Sequence, residues 1–123
     1  MSNMNNKVKK VLKLACLEAG KIILKNYGKK KNVKSKGNND WVTNQDILIE
    51  KKIIQIIKKT FPDSSFIGEE TGFSNASSNI TWVIDPIDGT NNYIHDYPFF
   101  CTSIGVLINN KIQYGAIYDS LRD

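Results

Sequence analysis

A chain of 123 residues with 41% hydrophobic and 24% charged content is sized for one soluble domain that closes its own core without disulfides. Its net charge of +5 helps steer anionic ligands, but the basic loop Lys29–Lys36 has neither arginine nor interleaved aromatics, so it reads as a solvated surface rather than a nucleic-acid patch. Lys9, Lys10 and Lys13 interrupt the first apolar run, which fits neither a signal peptide nor a membrane span and makes the cytoplasm the default location.

From Asn5 to Tyr27, the apolar residues Val8, Val11, Leu12, Ala15, Ala19, Ile22 and Ile23 recur at helical spacing, and Gly28 is a natural stop. Lys29 to Asn39 is polar, basic and glycine-containing, and predicts a mobile loop. A second helix is expected after Thr43 as far as Thr60, with Ile47, Ile53, Ile54 and Ile57 on its apolar face. Ser65-Phe66-Ile67 then reads as a short strand ending at Gly68, Thr71–Asn79 as a loop, and Thr81–Ile84 as a buried strand. One helical turn is expected over Asn91–His95, followed by a hairpin whose strands, Phe100–Ile108 and Ile112–Tyr118, flank Asn109-Asn110-Lys111. Cys16 and Cys101 have no metal-ligand spacing and read as buried free thiols. The segment Tyr118–Asp123 follows a strand without a closing element, and a bare terminal strand reads as the front part of a longer fold.

The chemistry concentrates in Asp85-Pro86-Ile87-Asp88-Gly89-Thr90-Asn91, where a strand delivers two carboxylates into one turn. Carboxylates crowded in this way repel unless protonated or bridged by a cation, and Mg²⁺ is the usual hard-metal occupant of such oxygen donors. Gly89-Thr90 offers backbone N–H groups where a helix could begin, a setting that suits phosphate. Glu69 and Glu70 sit at a strand end from which side chains reach a shared cleft, although a solvated acidic pair has the same local sequence. Asp46, three residues after Thr43, fits a capping box as well as it fits an active site. His95 has no nucleophile and base arranged around it and reads as structural, while Trp41 and Trp82 read as packing residues.

These segments together resemble the inositol monophosphatase family. Asp85-Pro86-Ile87-Asp88-Gly89-Thr90-Asn91 is similar to the family's first signature, Phe66-Ile67-Gly68-Glu69-Glu70-Thr71 to its acidic strand end, and Asp40-Trp41-Val42-Thr43-Asn44-Gln45-Asp46 to its Asp-x-Val-Thr-x-x-Asp segment. The resemblance implies an α+β fold: the front portion of a layered α/β/α/β/α sandwich, with two helices packed on a largely antiparallel sheet. Residues 1–123 would form a single N-terminal domain that lacks the C-terminal half, where the family's Trp-Asp-x-x-Ala-Gly motif lies.

By resemblance, Glu69, Asp85, the Ile87 carbonyl and Asp88 bind Mg²⁺. Ile87, Asp88, Gly89 and Thr90 border the substrate phosphate, and Asp46, Thr90 and Glu69 form the catalytic set around the attacking water. The implied reaction is hydrolysis of a phosphate monoester, with inositol monophosphate the leading substrate. Fructose bisphosphate and adenosine bisphosphate are the within-class alternatives. The resemblance also implies a homodimer and places Lys36 near a mobile metal-binding loop. A different class of function is a non-catalytic module that contacts RNA or a transcription complex; the positive charge favours it and the intact acidic motifs oppose it.

Overall fold

The computed structural model describes residues 2–37, 40–74 and 79–122. In chain order the elements are α1 (Ser2–Asn26), β1 (Val33–Gly37), β2 (Asp40–Thr43), α2 (Asn44–Thr60), β3 (Ser65–Gly68), β4 (Gly72–Ser74), β5 (Ile80–Asp88), α3 (Thr90–Ile94), β6 (Cys101–Ile108) and β7 (Lys111–Tyr118). A five-stranded sheet runs in the order β4-β3-β5-β6-β7, and β1 and β2 form a separate two-stranded hairpin. In the larger sheet only β3 and β5 are parallel; the other pairings are antiparallel, as the expected α+β class requires.

The helices form because their apolar positions make one continuous stripe. Val8, Val11, Leu12, Ala15, Ala19 and Ile23 of α1 are buried against Ile49, Ile53, Ile56 and Ile57 of α2 and against Phe66, Trp82, Ile84, Ile104 and Val106 of the sheet. Burying each of the larger side chains contributes about 1.5–3 kcal/mol, so this seam dominates the fold's stability. Of the expected α2 stripe, Ile53 and Ile57 are buried, whereas Ile47 and Ile54 are half-buried at its margin and Ile49 and Ile56 take their places in the core. The Trp82 indole donates to the Ser64 hydroxyl at 2.9 Å, which leaves its buried N–H satisfied.

Two expected loops contain strands. Lys29–Asn39 yields β1, and Thr71–Asn79 yields β4, with residues 75–78 outside the described ones. Every β1 residue is exposed, so there was no apolar alternation to signal it; its order comes from pairing with β2. Lys31 also departs from the solvated-surface reading. Its side chain is only 2% exposed, its ammonium lies 4.6 Å from the Tyr93 ring centroid, and it pairs with Asp96 at 2.9 Å. The expected β6–β7 hairpin forms, but its connection is two residues rather than three, because Lys111 pairs with Ile108 and opens β7. Asn109 and Asn110 both take positive φ (53° and 64°), as the primed turns that match strand twist demand. Among the described residues, no helix is long and apolar enough to cross a membrane.

Candidate active site

Three features of the backbone bring distant carboxylates together. First, the parallel register pairs Gly68 with Ile84, so β3 ends beside the middle of β5 and brings Glu69 alongside Asp85. The Glu69 N–H donates to the Ile84 carbonyl at 3.1 Å and fixes that alignment. Second, β5 carries a bulge. Asp85 pairs with Ser103 and Asp88 with Cys101, so three steps on β5 match two on β6. Side chains three apart on a regular strand point to opposite faces, and one extra residue returns them to the same side. Pro86 has no N–H to lose at such an irregularity, and its carbonyl accepts from the buried Thr102 hydroxyl at 2.9 Å. Third, α2 begins at the cap Thr43 and points its first turn at the end of β5.

In that first turn the capping-box reading of Asp46 holds, and its second oxygen is left facing the end of β5. The Thr43 side chain accepts from the Asp46 N–H at 3.2 Å, and Asp46 Oδ2 accepts from the Thr43 N–H at 2.8 Å, completing a capping box. The other oxygen, Oδ1, faces the Thr90 hydroxyl at 2.9 Å. Thr90 Oγ1 also lies 3.0 Å from the Ile87 carbonyl, so its single proton is shared between two acceptors. Burial raises the Asp46 carboxyl above its ordinary value, against the hydrogen bonds from Thr43 and Thr90 that pull it down.

Burial and neighbouring carboxylates act together on the acids at this end of the sheet. Asp85 is pushed up to about 6, first by burial and then by repulsion from Glu69, Asp88, Asp46 and Glu70. Glu70 is raised mainly by burial, while Lys36 lowers it. The Lys36 ammonium lies 3.1 Å from Glu70 and 3.6 Å from Glu69, so the β1–β2 hairpin supplies a counter-charge to the acidic strand end. Among the described residues, no three acidic, histidine or cysteine side chains are drawn together into a ready-made metal cage. What they form is a shared field of negative charge built wholly from oxygen donors, the chemistry that a hard divalent cation matches.

Gly89 turns the chain from β5 into α3. Its φ of +97° lies in the left-handed region, and an added Cβ would sit 3.0 Å from the Phe99 carbonyl oxygen. No side chain caps α3, which leaves its first-turn N–H groups without a side-chain acceptor. His95 is structural in setting, with Nδ1 2.8 Å from the Asn91 carbonyl oxygen. Cys16 is buried as expected, whereas Cys101 is only half-buried, beside Asp88 at the bulge.

Sequence reasoning missed Glu50 and Thr102. Glu50 is fully buried one helical turn after Asp46 and accepts from the backbone N–H groups of Glu70 and Thr71. The available signal was an acidic residue placed between Ile49 and Ile53, on a face otherwise headed for the core.

A model of the inositol monophosphatase family matches residues 4–123. The chain is 42% identical over 112 residues to the Haemophilus influenzae protein named Nus factor SuhB, covering 89% of this chain and 42% of that protein. It is 39% identical over 120 residues to an Aquifex aeolicus fructose-1,6-bisphosphatase/inositol-1-monophosphatase, covering 96% and 45%. The fold superposes on the extragenic suppressor protein suhB of Bartonella henselae with a TM-score of 0.92 at 33% identity, covering 95% of this chain and 46% of that one. It also superposes on inositol monophosphatase from Anabaena with a TM-score of 0.80 at 35% identity, covering 98% and 42%. The chain therefore spans less than half the length of these relatives. With the family model spanning nearly its whole length and the same fold in solved relatives, the chain belongs to the inositol monophosphatase family.

Proposed function

We propose that this chain carries the metal- and phosphate-binding front domain of a Mg²⁺-dependent phosphate-monoester hydrolase, with inositol monophosphate the leading substrate. The observation that carries this reading is the strand register and bulge that set Glu69, Asp85 and Asp88 along one stretch of β5, beside the Asp46–Thr90 hydrogen bond. Glu69, Asp85, Asp88 and the Ile87 carbonyl are the oxygen donors for the cation. A carbonyl has two lone pairs, so Ile87 can serve both Thr90 and a metal. Bound Mg²⁺ supplies neutralisation of phosphate charge and a lowered pKa for a coordinated water.

The chain's own residues account for the remaining steps. The Thr90 hydroxyl takes a proton from the attacking water as it passes its own to Asp46 Oδ1, which burial has made more proton-hungry. The water oxygen bonds to phosphorus, the ester P–O bond breaks, and the departing alkoxide takes a proton from solvent. Gly89 and Thr90 present their N–H groups to the phosphate oxygens. Positioning and charge stabilisation carry most of phosphoryl-transfer catalysis, so a site of this kind needs no covalent nucleophile.

The test is phosphate release from inositol monophosphate, with and without Mg²⁺, by this chain and by the same chain fused to the C-terminal half of the Aquifex relative. Asp88→Asn removes a ligand charge and is expected to abolish most Mg²⁺-dependent release. Full activity in that variant would refute the assignment. A second reading, contact with RNA or a transcription complex, is favoured by the relatives named Nus factor SuhB. It predicts salt-sensitive RNA binding that is indifferent to Asp88→Asn. Homodimerisation and action in the cytoplasm belong to the same proposal, checked by light scattering and by fractionation.

A further inference from the structure

Among the described residues, Glu50 is the fully buried carboxylate that the proposed chemistry does not use. A buried acid one turn after another buried acid is an unfavourable way to fill a core. Like charges at this spacing destabilise a helix, and a desolvated carboxylate is costly unless its oxygens are occupied. Both oxygens are occupied, and by the same turn. Oε1 accepts from the Glu70 N–H at 3.0 Å and Oε2 from the Thr71 N–H at 2.5 Å. Gly68 closes the other side: a Cβ there would fall 2.5 Å from Oε2. The backbone from Gly68 to Thr71 is thus wrapped around one carboxylate head. Glu69 lies inside that wrap, with its own N–H bound to Ile84 and its side chain 50% exposed.

We infer that Glu50 is a positioning residue that clamps the turn after β3 and so presents Glu69, and through it the acidic cluster, to the cation; this rests on the metal-dependent reading above. Asp46 and Glu50 divide the work along one face of α2. Asp46 orients the Thr90 hydroxyl, and Glu50 orients the acidic strand end across from it. The two halves of the site are therefore registered to each other by a single rigid helix rather than by their own loops. Outer residues that orient metal ligands alter metal affinity about 10- to 100-fold when changed.

Glu50→Gln is the informative variant, because its amide keeps the size and one acceptor but turns an N–H donor toward a backbone N–H. Amide resonances of Glu70 and Thr71, charge-assisted in the native chain, are expected to move upfield in Glu50→Gln while those of β6 and β7 stay put. The Mg²⁺ midpoint for the Asp85 and Asp88 amides is expected to rise about tenfold. A residue that merely stabilised the fold would lower the melting temperature and leave that midpoint unchanged in the folded protein. Gly68→Ala is the second variant, displacing the same carboxylate head from the opposite side and covering the case in which Glu50→Gln does not fold. Equal Mg²⁺ midpoints in native and variant chains would overturn the positioning role alone. Absence of any Mg²⁺ response in the native chain would instead overturn the metal-dependent reading, and the inference with it.

Discussion

Asp46 divides its carboxylate between a helix cap and a second hydroxyl, because a carboxylate has two oxygens. Oδ2 completes the helix cap and Oδ1 faces Thr90, so the cap fixes the aim of the acid. Removing the Thr43 hydroxyl should therefore loosen both contacts of Asp46. Thr43→Ala is expected to cost about 1 kcal/mol of stability, the usual worth of an N-cap, measured by denaturant unfolding. Thr90→Ala leaves the cap intact. It should lower Mg²⁺-dependent phosphate release about 100-fold, within the range of positioned proton transfer, at nearly unchanged stability, and Thr90→Ser should restore most of it. If Thr90→Ala lost only stability, the proton-transfer role would be wrong. The capping role of Asp46 was legible in the sequence, since the Thr-x-x-Asp spacing is local. Glu50 was not, because its partners are the N–H groups of residues 20 and 21 positions away, and backbone donors leave no mark in a sequence.

The elements show the same division between local and long-range information. Both long helices and the β6–β7 hairpin were readable because periodicity and Asn-Asn turn chemistry are written within each segment. The hairpin β1–β2 was not, since the exposed residues of β1 carry no apolar alternation, and the burial of Lys31 was not, since its partner Asp96 lies 65 positions away. Lys31 belongs to a clasp between the end of α1 and the end of α3. The Tyr27 hydroxyl donates to the Asp96 carbonyl at 2.9 Å, and Asp96 Oδ1 accepts from the Gly28 N–H at 3.0 Å and from Lys31 at 2.9 Å. The Lys31 hydrogen bond, ahead of the Gly28 contact, holds the Asp96 carboxyl below its ordinary range. A carboxyl depressed in the folded state stabilises it above the unfolded pKa of about 4 and loses that contribution as pH falls through the lower folded value. Asp96→Asn should thus be less stable than the native chain at pH 7, and the gap should close as pH drops through 4 toward 2. Parallel stability profiles over that range, from chemical denaturation, would show that the clasp does not carry the linkage.

At the scale of the whole molecule, the helices cover only one face of the five-stranded sheet. Trp82, Ile84, Ile104 and Val106 point into the core, while the alternate positions Ile67 and Val83 are 42% and 37% exposed, and Ile112 and Ile117 are 80% and 78% exposed. The registers place Ile67 beside Val83, Leu107 beside Ile112 and Ser103 beside Ile117, so these side chains form one surface rather than scattered points. An apolar face of that kind is an association site for whatever surface meets it. For the 123-residue chain by itself, two copies should meet there at high concentration and bind a hydrophobic dye. Ile112→Lys with Ile117→Lys puts two like charges on that face without touching the helix-covered core. The double variant is therefore expected to remain monomeric by sedimentation, to lose most dye fluorescence, and to melt within a few degrees of the native chain. Ile112 lines the same cavity as Glu69 and Asp85, so the Mg²⁺ response of the double variant reports whether the open face and the site are coupled. Undiminished self-association in the double variant would assign the contact to another surface, such as the exposed leucines of α1. A lost Mg²⁺ response would mean that the open face and the site are coupled, and that covering one helps to order the other.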